Sequence, residues 1–412
     1  MNTPRRLRIL VVLPFPPNIK GSHGGTRATA TMLAGIVNRH DVAVLYLRGP
    51  DDRPGDPELL ARCALAEEVP RRADEPRTRL ERLRRRARTV AAGVAGRPAW
   101  ASRWWTPQLK TRLRQVAQEW QPDVVQFDFH VMAGYLDALR GLNVQTVLVQ
   151  HDPGAASVED RLRLHPAGGV RGILQQLDLY AWKRFERNLL GAVDATIVFT
   201  ADDLAALRRL RPDARLVQVP LAFRLRAREL DPVGSDPPAL LFVGSFIHPP
   251  NVDAAMRLAI GIYPRVRAER PDARLLLVGD QPPPNLTALS RDGARVTGWV
   301  PNITPYLEEA AVVVLPVRLG GGMRVKTLEA LGAGKALVAS NRAIAGLDLP
   351  PGTHVHAETD AEFADAVLRL LDDPAERARL GGAARAWALE HIDPDAPARA
   401  YDALYRSLVE RE

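Results

Sequence analysis

The sequence contains one cysteine, Cys63, among its 412 residues, so it cannot form an internal disulfide. One cysteine and nine scattered histidines also lack the spacing of a structural zinc site, and we expect no bound metal. A chain without disulfides is typical of a reducing compartment. The sequence therefore predicts a cytoplasmic protein, whose contact with a membrane would be peripheral and at the inner face.

Long apolar runs and two common catalytic motifs are also missing. No stretch of about 18 uncharged apolar residues is present, which argues against a membrane-spanning helix. There is no GxxxxGK[ST] phosphate loop and no GxSxG nucleophile elbow, so the enzyme classes that depend on them are not expected. The hydrophobic content of 46% excludes wholesale disorder.

What is present is a regular alternation of short β-branched runs and longer helical patterns. Runs such as Val124–Phe127 and Ala311–Leu315 are continuously apolar, as in parallel strands buried on both faces. This alternation predicts an α/β fold with doubly wound parallel sheets. The other predicted strands are Arg8–Leu13, Val42–Leu45, Thr146–Val149, Thr196–Phe199, Ala239–Val243, Arg274–Val278 and Ala336–Ala339.

The alternation stops once, between Arg224 and Pro238, in a stretch that lacks an apolar run and ends in Pro, Gly and Asp. Such a composition is typical of a linker. We therefore expect two Rossmann-like halves, residues 1–225 and 238–392, joined by residues 226–237. On the residues alone, a last helix within 393–412 would pack on either half.

The net charge of +8 favours acidic partners such as phosphates, nucleic acid or an anionic membrane. Arg71–Arg88 holds nine arginines against three acidic residues, and its apolar residues recur at helical spacing. This predicted amphipathic helix is either a solvated face over a packed stripe or a surface for an anionic membrane, with Trp104 and Trp105 as anchors. Nucleic acid is not an expected partner, because no aromatic residues interleave the charge.

The strongest candidate site lies in Arg318–Glu329, where three glycines follow a predicted strand and precede a predicted helix. A glycine loop at a helix start offers N–H groups and a positive dipole end to a phosphate. Arg324 and Lys326 fall in the first turn, where a cation costs about 0.3–1 kcal/mol against the dipole unless an anion binds. Glu329 is placed one turn on to hold a ribose. The alternative is a surface pair of Lys326 with Glu329 beside a flexible loop.

Other glycine and polar residues also follow predicted strands. Gly24 and Gly25 lie in a long loop after the first strand, and His151 comes just after Thr146–Val149. Ligands bind at the carboxyl ends of strands in open α/β sheets. Each of these residues alone is explained by its preference for turns, but together they surround one edge of a sheet. The corresponding residues of the second half are Gly244, Ser245, Asn251, Gly298, Trp299 and Val300.

These motifs together resemble those of the GT-B glycosyltransferases, in particular the retaining family 4 that uses nucleotide-sugar donors. The resemblance covers nearly the whole chain and is most specific in the second half. It implies two Rossmann-like domains facing across a cleft, with residues 393–412 crossing back to the N-terminal domain. The motifs are Phe242–Ser245, Leu276–Asp280, Gly298–Pro301, Gly320–Leu331 and Gly334–Ala339, with Gly24–Thr26 near the N-terminus.

The resemblance implies a role for each matching residue. Arg324 and Lys326 would bind the donor diphosphate, Glu329 the ribose, and His151 the transferred sugar near its 6-hydroxyl. Gly25 would approach the donor phosphate from the opposite domain. The donor site as a whole would comprise Gly24, Gly25, Gly244, Ser245, Asn251, Gly298, Trp299, Val300, Gly320, Gly321, Gly322, Met323, Thr327, Leu328 and Glu329.

The activity implied by the resemblance is that of a retaining hexosyltransferase without metal or other cofactor. Its donor would be linked to UDP, GDP or dTDP, and its acceptor would be a saccharide, a lipid-linked glycan, a natural product or a peptide. The family has two glutamates separated by seven residues, and Gly321 stands at the first of these positions. Because that carboxylate is missing, an alternative function stays open. The protein would then be a non-catalytic binder of nucleotide sugars or a partner subunit.

Overall fold

The computed structural model describes residues 5–19, 21, 24–50, 52–71, 98, 104–164, 166–221, 223–321 and 324–410. Within them, a sheet of seven strands is followed along the chain by a sheet of six, and every strand pairing is parallel. The predicted α/β fold with two doubly wound sheets is confirmed. Most of the Arg71–Arg88 segment, together with Gly322 and Met323, lies outside the described residues.

The first sheet has the strand order β3-β2-β1-β4-β5-β6-β7. Strand β1 pairs with both β2 and β4, so strands are added in opposite directions from this point, which opens a crevice at their carboxyl ends. Its strands are β1 (Arg8–Leu13), β2 (Asp41–Arg48), β3 (Leu65–Pro70), β4 (Val124–Asp128), β5 (Gln145–Val149), β6 (Ala195–Val198) and β7 (Leu216–Gln218). Its helices are α1 (Gly24–Ile36), α2 (Pro57–Leu60), α3 (Pro107–Trp120), α4 (Gly154–Leu164), α5 (Gly169–Leu190) and α6 (Ala201–Leu210), with a 3₁₀ helix at Met132–Leu139.

The second sheet repeats the plan in the order β10-β9-β8-β11-β12-β13, with its switch point between β8 and β11. Its strands are β8 (Ala239–Val243), β9 (Arg274–Val278), β10 (Ala294–Val296), β11 (Ala310–Leu315), β12 (Leu337–Ala339) and β13 (Val355–His356). Its helices are α7 (Pro249–Arg257), α8 (Tyr263–Glu269), α9 (Pro284–Thr287), α10 (Thr304–Glu309), α11 (Val325–Ala333), α12 (Asn341–Ile344), α13 (Asp360–Asp372) and α14 (Pro374–His391).

Burial explains which strands the sequence pattern indicates. All six residues of β11 are buried, as expected for a central strand covered on both faces. The four edge strands β3, β7, β10 and β13 were not predicted, because they are partly exposed and lack a continuous apolar run. Helices α7 and α8 are separated by a π turn at Leu258–Ile262, just before Pro264, which has no N–H to donate.

The last helix, α15 (Ala396–Val409), packs on the first half of the molecule. Tyr401 and Tyr405 are buried in the same apolar cluster as β1 and α1, and a Cβ added to Gly35 would lie 2.8 Å from the Cβ of Ala398. The segment before the second sheet is tied to the second half, where Leu230 N–H donates to Ala333. None of the helices in the described ranges is both long and apolar enough to cross a membrane.

Candidate functional site

The two switch-point crevices face each other across a cleft, with the N-terminal ends of α1 and α11 in contact. A Cβ added to Gly24, the first residue of α1, would lie 3.4 Å from Cγ2 of Val325, the first residue of α11. Gly25 follows in the same first turn. Two helix N-termini therefore converge where unbonded N–H groups and positive dipole ends favour an anion.

The glycine loop before α11 contacts two carboxylates of the first half. The N–H of Gly321 donates to Oδ1 of Asp152 at 3.1 Å. A Cβ on Gly321 would lie 2.7 Å from Oδ1 of Asp203 and 3.0 Å from Oδ1 of Asp152. Gly320 has a positive φ of 86° and abuts Pro250. The close approach of the two halves at this point therefore requires glycine.

Arg324 caps the start of α11 and is only 7% exposed. Its Nη1 donates to the carbonyl of Gly321 at 3.0 Å, and its Nε donates to the carbonyl of Ala345. Burial lowers the pKa of Arg324, while Asp203 and Asp152 across the cleft raise it. The guanidinium is thus fixed beside the glycine loop, with its charge balanced by the opposite half.

Lys326 is the second residue of the same helix and is partly buried. Its Nζ donates to Oδ1 of Asn251 at 2.7 Å, and Nδ2 of Asn251 donates to the carbonyl of Ser245. Burial, followed by the neighbouring charge of Arg324, lowers the pKa of Lys326 to about 8. Two neighbouring cations repel each other, which costs free energy unless an anion lies nearby. The N-terminal end of α11 is therefore suited to bind an anion.

The loops after β8 and β9 bring two further polar atoms to this region. Oγ of Ser245 and Oδ1 of Asp280 are buried, and neither atom has a hydrogen-bond partner within the described ranges. A Cβ on Gly244 would lie 3.0 Å from Asn251, so this loop also packs tightly. A buried hydroxyl without a partner is costly, and a ligand oxygen would satisfy it.

Glu329, at the next turn of α11, is paired across the cleft. Its Oε1 accepts from Nη2 of Arg27 at 2.9 Å, and the two side chains are 12% and 27% exposed. Arg27 lies in α1 and also donates to the carbonyl of Gly21. The carboxylate proposed to hold a ribose is therefore poised at the cleft, where it contacts the opposite half.

His151 is oriented by groups at the ends of β4 and β5. Its Nε2 lies 2.9 Å from Oδ1 of the fully buried Asp128, and its ring stacks on Phe129 at 3.8 Å. In the part of the chain that the structure describes, the buried Nδ1 has no partner. The contact of Asp152 with Gly321 brings this segment against the glycine loop.

Two buried carboxyl groups support the loop that follows His151. Glu186 of α5 accepts from the N–H groups of Gly154 and Ala155 and so caps α4. Burial raises the pKa of Glu186 to about 7, and burial raises the pKa of Asp152 to about 6. The first half therefore presents carboxyl groups that are easily neutralised, opposite the cations of the second half.

The segment after β10 lies at the edge of the cleft. Gly298 has a positive φ of 70°, and Val300 packs against the core of the second half. The ring of Trp299 is covered by the guanidinium of Arg53, whose Cζ lies 3.2 Å from the ring centroid. Arg53 comes from the loop after β2, so this is a cation–π contact between the two halves.

Two predicted donor residues turn their side chains away from the cleft. Leu328 is part of the second core, and Oγ1 of Thr327 donates to the carbonyl of Ala343. The N–H of Leu328 is already bonded to the carbonyl of Arg324. Thr327 and Leu328 therefore fix α11 against the sheet, because the helix must bury one face to present the other.

Sequence reasoning missed several residues that contact the predicted ones, among them Arg27, Arg53, Asp128 and Asp203. Asp203 lies in the first turn of α6, where an acidic residue is already explained by the helix dipole. Arg27 follows the Gly24–Gly25 pair by one half-turn, and this proximity was the available signal. No three His, Cys, Asp or Glu side chains in the described ranges come together as a metal site would need.

Two family models match consecutive parts of the chain. The model described as Glycosyltransferase Family 4 matches residues 22–224, and the model described as Glycosyl transferases group 1 matches residues 237–373. The first match covers the first sheet except for β1, and the second match covers all strands of the second sheet. The chain belongs to the GT-B glycosyltransferases. A search of curated proteins found no significant match to this glycosyltransferase.

Solved structures share the fold of this glycosyltransferase at low sequence identity. Sucrose-phosphate synthase from Thermosynechococcus elongatus is 18% identical with a TM-score of 0.73, over 99% of this chain and 100% of that one. WaaG, a glycosyltransferase involved in lipopolysaccharide biosynthesis, is 14% identical with a TM-score of 0.64, over 97% and 99%. An E. coli trehalose-6-phosphate protein bound to UDP-2-fluoro glucose is 13% identical with a TM-score of 0.62, over 97% and 99%.

Proposed function

We propose that this glycosyltransferase transfers a hexose from a nucleoside-diphosphate sugar to an acceptor hydroxyl. The observation that carries the proposal is the grouping of Arg324, Lys326 and the glycine loop at the N-terminal end of α11. A diphosphate would accept from the N–H groups there and offset the repulsion between the two cations. The structural neighbour that holds a UDP sugar supports the same class of ligand.

Several other predicted residues would contact a donor in this position, but Thr327 and Leu328 would not, because their side chains face away from the cleft. Ser245 and Asn251 would contact the diphosphate, since one has a buried hydroxyl to satisfy and the other already holds Lys326. Glu329 would accept from the ribose hydroxyls in place of Arg27. The base would lie beside Gly298 and Trp299 at the cleft edge.

In the proposed reaction, the bond between sugar C1 and the diphosphate oxygen breaks, and its electron pair leaves with the nucleoside diphosphate. Arg324, Lys326 and the end of α11 would stabilise the leaving charge, which is electrostatic catalysis without a metal. The acceptor oxygen forms the new bond to C1, and its proton passes to the departing diphosphate. Retention requires that the acceptor attack from the face that the diphosphate leaves.

Thermal unfolding with a panel of UDP, GDP, dTDP and ADP and their sugars, in the presence of EDTA, tests the donor site. A ligand at 100 times its Kd stabilises the folded state by about 2.7 kcal/mol, a clear shift in Tm. We expect a shift from one nucleotide class, and we expect Arg324→Gln to abolish it. Arg318→Gln is the matched control, because Arg318 lies in the same loop but pairs with Asp253 outside the site.

Two results would contradict the proposal. One is the absence of a shift with every nucleotide, and the other is an equal shift in wild type and Arg324→Gln. The alternative of a non-catalytic binder rests on Gly321, which stands where the family has a glutamate. It predicts the Tm shift without release of nucleoside diphosphate from the sugar, even with a broad set of acceptors present.

A further inference from the structure

Helix α5 exposes an unusual set of large apolar side chains to solvent. Ile173, Leu174, Leu177 and Tyr180 are 62%, 55%, 55% and 57% exposed. All lie within two turns of one helix, so they form a contiguous patch instead of scattered single residues. Exposed apolar patches of this kind mark interaction surfaces.

The exposed residues of α5 follow one face of the helix. Ile173, Leu177 and Tyr180 are spaced by four and three residues, and Arg184 and Arg187 continue that spacing. Nη1 of Arg184 lies 3.5 Å from the Tyr180 hydroxyl, so the basic and apolar parts adjoin. We call this set, from Ile173 to Arg187, the α5 stripe.

The opposite face of α5 is occupied by the fold itself. Ala155 and Val158 of α4 pack on Trp182 of α5, and Glu186 binds the start of α4. The α5 stripe therefore cannot be a second core face of the same helix pair. Its apolar residues are available to a partner.

The charge of the exposed residues on α5 has one sign. Those that the structure describes are apolar, amide or basic, and none of them is acidic. Asp178, the acidic residue nearest the patch, is partly buried and paired with Arg161 of α4 at 3.4 Å. The basic residues on the exposed surface are Arg171, Lys183, Arg184 and Arg187.

We propose that the α5 stripe binds an anionic membrane surface. A second copy of the stripe would bring arginines against arginines, and the segment Arg71–Arg88 of this chain is itself strongly basic. A lipid surface with negative headgroups offers the complementary charge and an apolar layer just beneath it. Tyrosine and arginine are suited to that boundary because each has an apolar body and a polar tip.

This docking would place the acceptor side of the cleft at the membrane. Helix α4 begins two residues after Asp152, whose carboxylate contacts the glycine loop, and α4 packs directly on α5. The α5 stripe and this side of the cleft are therefore connected through one packed helix pair. The proposal concerns a surface outside the donor site and does not depend on the identity of the donor.

Vesicle cosedimentation tests the α5 stripe. Wild type is mixed with vesicles of phosphatidylcholine alone, or of phosphatidylcholine with phosphatidylglycerol, and we expect binding only to the second. The double variant Ile173→Glu/Leu177→Glu replaces two of the apolar residues of the stripe. It should weaken vesicle binding at least about tenfold, because burial of apolar side chains drives insertion. Leu389→Glu is the matched control, because Leu389 of α14 is 60% exposed and lies outside the stripe.

The variant Arg184→Gln/Arg187→Gln examines the charge separately and leaves the apolar residues in place. We expect it to weaken binding about 10- to 30-fold, and added salt to do the same in wild type. The Tm and the nucleotide-dependent shift in Tm should be unchanged in every variant, which shows that the fold is kept.

Several outcomes would overturn the proposal. One is a wild-type protein that does not bind vesicles containing phosphatidylglycerol. Another is a set of stripe variants that bind as tightly as wild type. A third is a Leu389→Glu variant that loses as much binding as the stripe variants. Sedimentation velocity tests a further outcome, which is self-association through the stripe. A wild-type dimer that dissociates in Ile173→Glu/Leu177→Glu would show that the stripe is an interface between copies of this chain.

Discussion

The first and second sheets share one strand order, but the edges they present to the cleft differ in charge. The second half contributes Arg324 and Lys326 at the start of α11, whereas the first half contributes Asp152 and Asp203, which lie against Gly321. The common topology explains why each half has a crevice at its switch point. The difference teaches that the fold supplies the position of a site, and that the loop residues decide which half holds an anionic ligand.

The contacts between the two halves pair groups of opposite charge or polarity, although the pair of Arg27 with Glu329 has the reverse polarity of the others. Asp152 accepts from Gly321, Arg27 pairs with Glu329, and Arg342 pairs with Asp160. Each contact joins an acceptor or anion of one half to a donor or cation of the other.

The largest expected effect comes from removing a cation of the second half. Lys326→Met should lower kcat by about 100- to 1,000-fold, because it removes a charge that stabilises the leaving diphosphate. Steady-state rates of nucleoside diphosphate release would measure this. A rate within a few-fold of wild type would refute the role of Lys326.

Lys335→Met provides the control for this change. Lys335 is also a buried lysine of the second half, and burial likewise lowers its pKa to about 8, but its Nζ donates to the carbonyl of Asp231, away from the cleft. We expect Lys335→Met to lower the Tm, because a buried hydrogen bond is lost, and to leave the nucleotide-dependent shift intact.

A smaller effect should follow from making the two edges alike in charge. Gly321→Glu places a carboxylate against Asp203 and Asp152, where even a Cβ would lie within 3.0 Å. We expect kcat/KM to fall about 100-fold or less, because the halves are held apart at the reacting centre. Activity equal to wild type would contradict the close approach seen here.

Two further variants separate sterics from charge at this position. Gly382→Glu introduces the same residue on α14, where a Cβ on Gly382 meets nothing within 4 Å, and we expect no loss of activity. Asp203→Asn combined with Gly321→Glu removes one like charge and should recover part of the lost kcat/KM. The absence of any recovery would assign the whole effect to steric overlap.

The smallest expected effect is a dependence of nucleotide binding on pH. The pKa of Lys326 is lowered to about 8, so the side chain is charged below that pH and becomes neutral above it. A diphosphate binds the charged form, so its affinity should be level below pH 8 and fall by up to about tenfold per pH unit above it. Titration calorimetry across this range would measure the change.

Lys326→Arg sharpens the same measurement, because arginine stays charged throughout the range. We expect its affinity for nucleoside diphosphate to stay level through pH 8. Two results would contradict this role of Lys326. One is a wild-type affinity that stays unchanged far above pH 8, and the other is an equal loss of affinity in Lys326→Arg, which would show that another group controls the pH dependence of binding.

The sequence predicts the central parts of this fold well because they are continuously apolar. Strands such as β1 and β11 and the loop from Gly320 onward follow from burial and from glycine at a helix start. The edge strands did not follow, since β3 and β13 are held by hydrogen bonds to a neighbour and carry few apolar side chains. Local pattern cannot indicate a strand whose stability comes from its partner.

The residues of the candidate site likewise divide into those that the sequence predicted and those whose orientation only the structure shows. Gly24, Arg324, Lys326 and Glu329 were singled out because their residue types at a helix start indicate phosphate and ribose chemistry. The side-chain directions of Thr327 and Leu328 were not distinguished from those of Glu329, although helical periodicity carries that information.

By itself, the sequence determined two doubly wound α/β halves and a cationic glycine loop, because both follow from short-range order along the chain. Only the tertiary structure decided what lies opposite that loop. Asp203 and Asp152 meet Gly321, and Arg27 meets Glu329, across separations of more than a hundred residues. Such pairings arise where the two halves pack against each other, and no periodicity in the sequence records them.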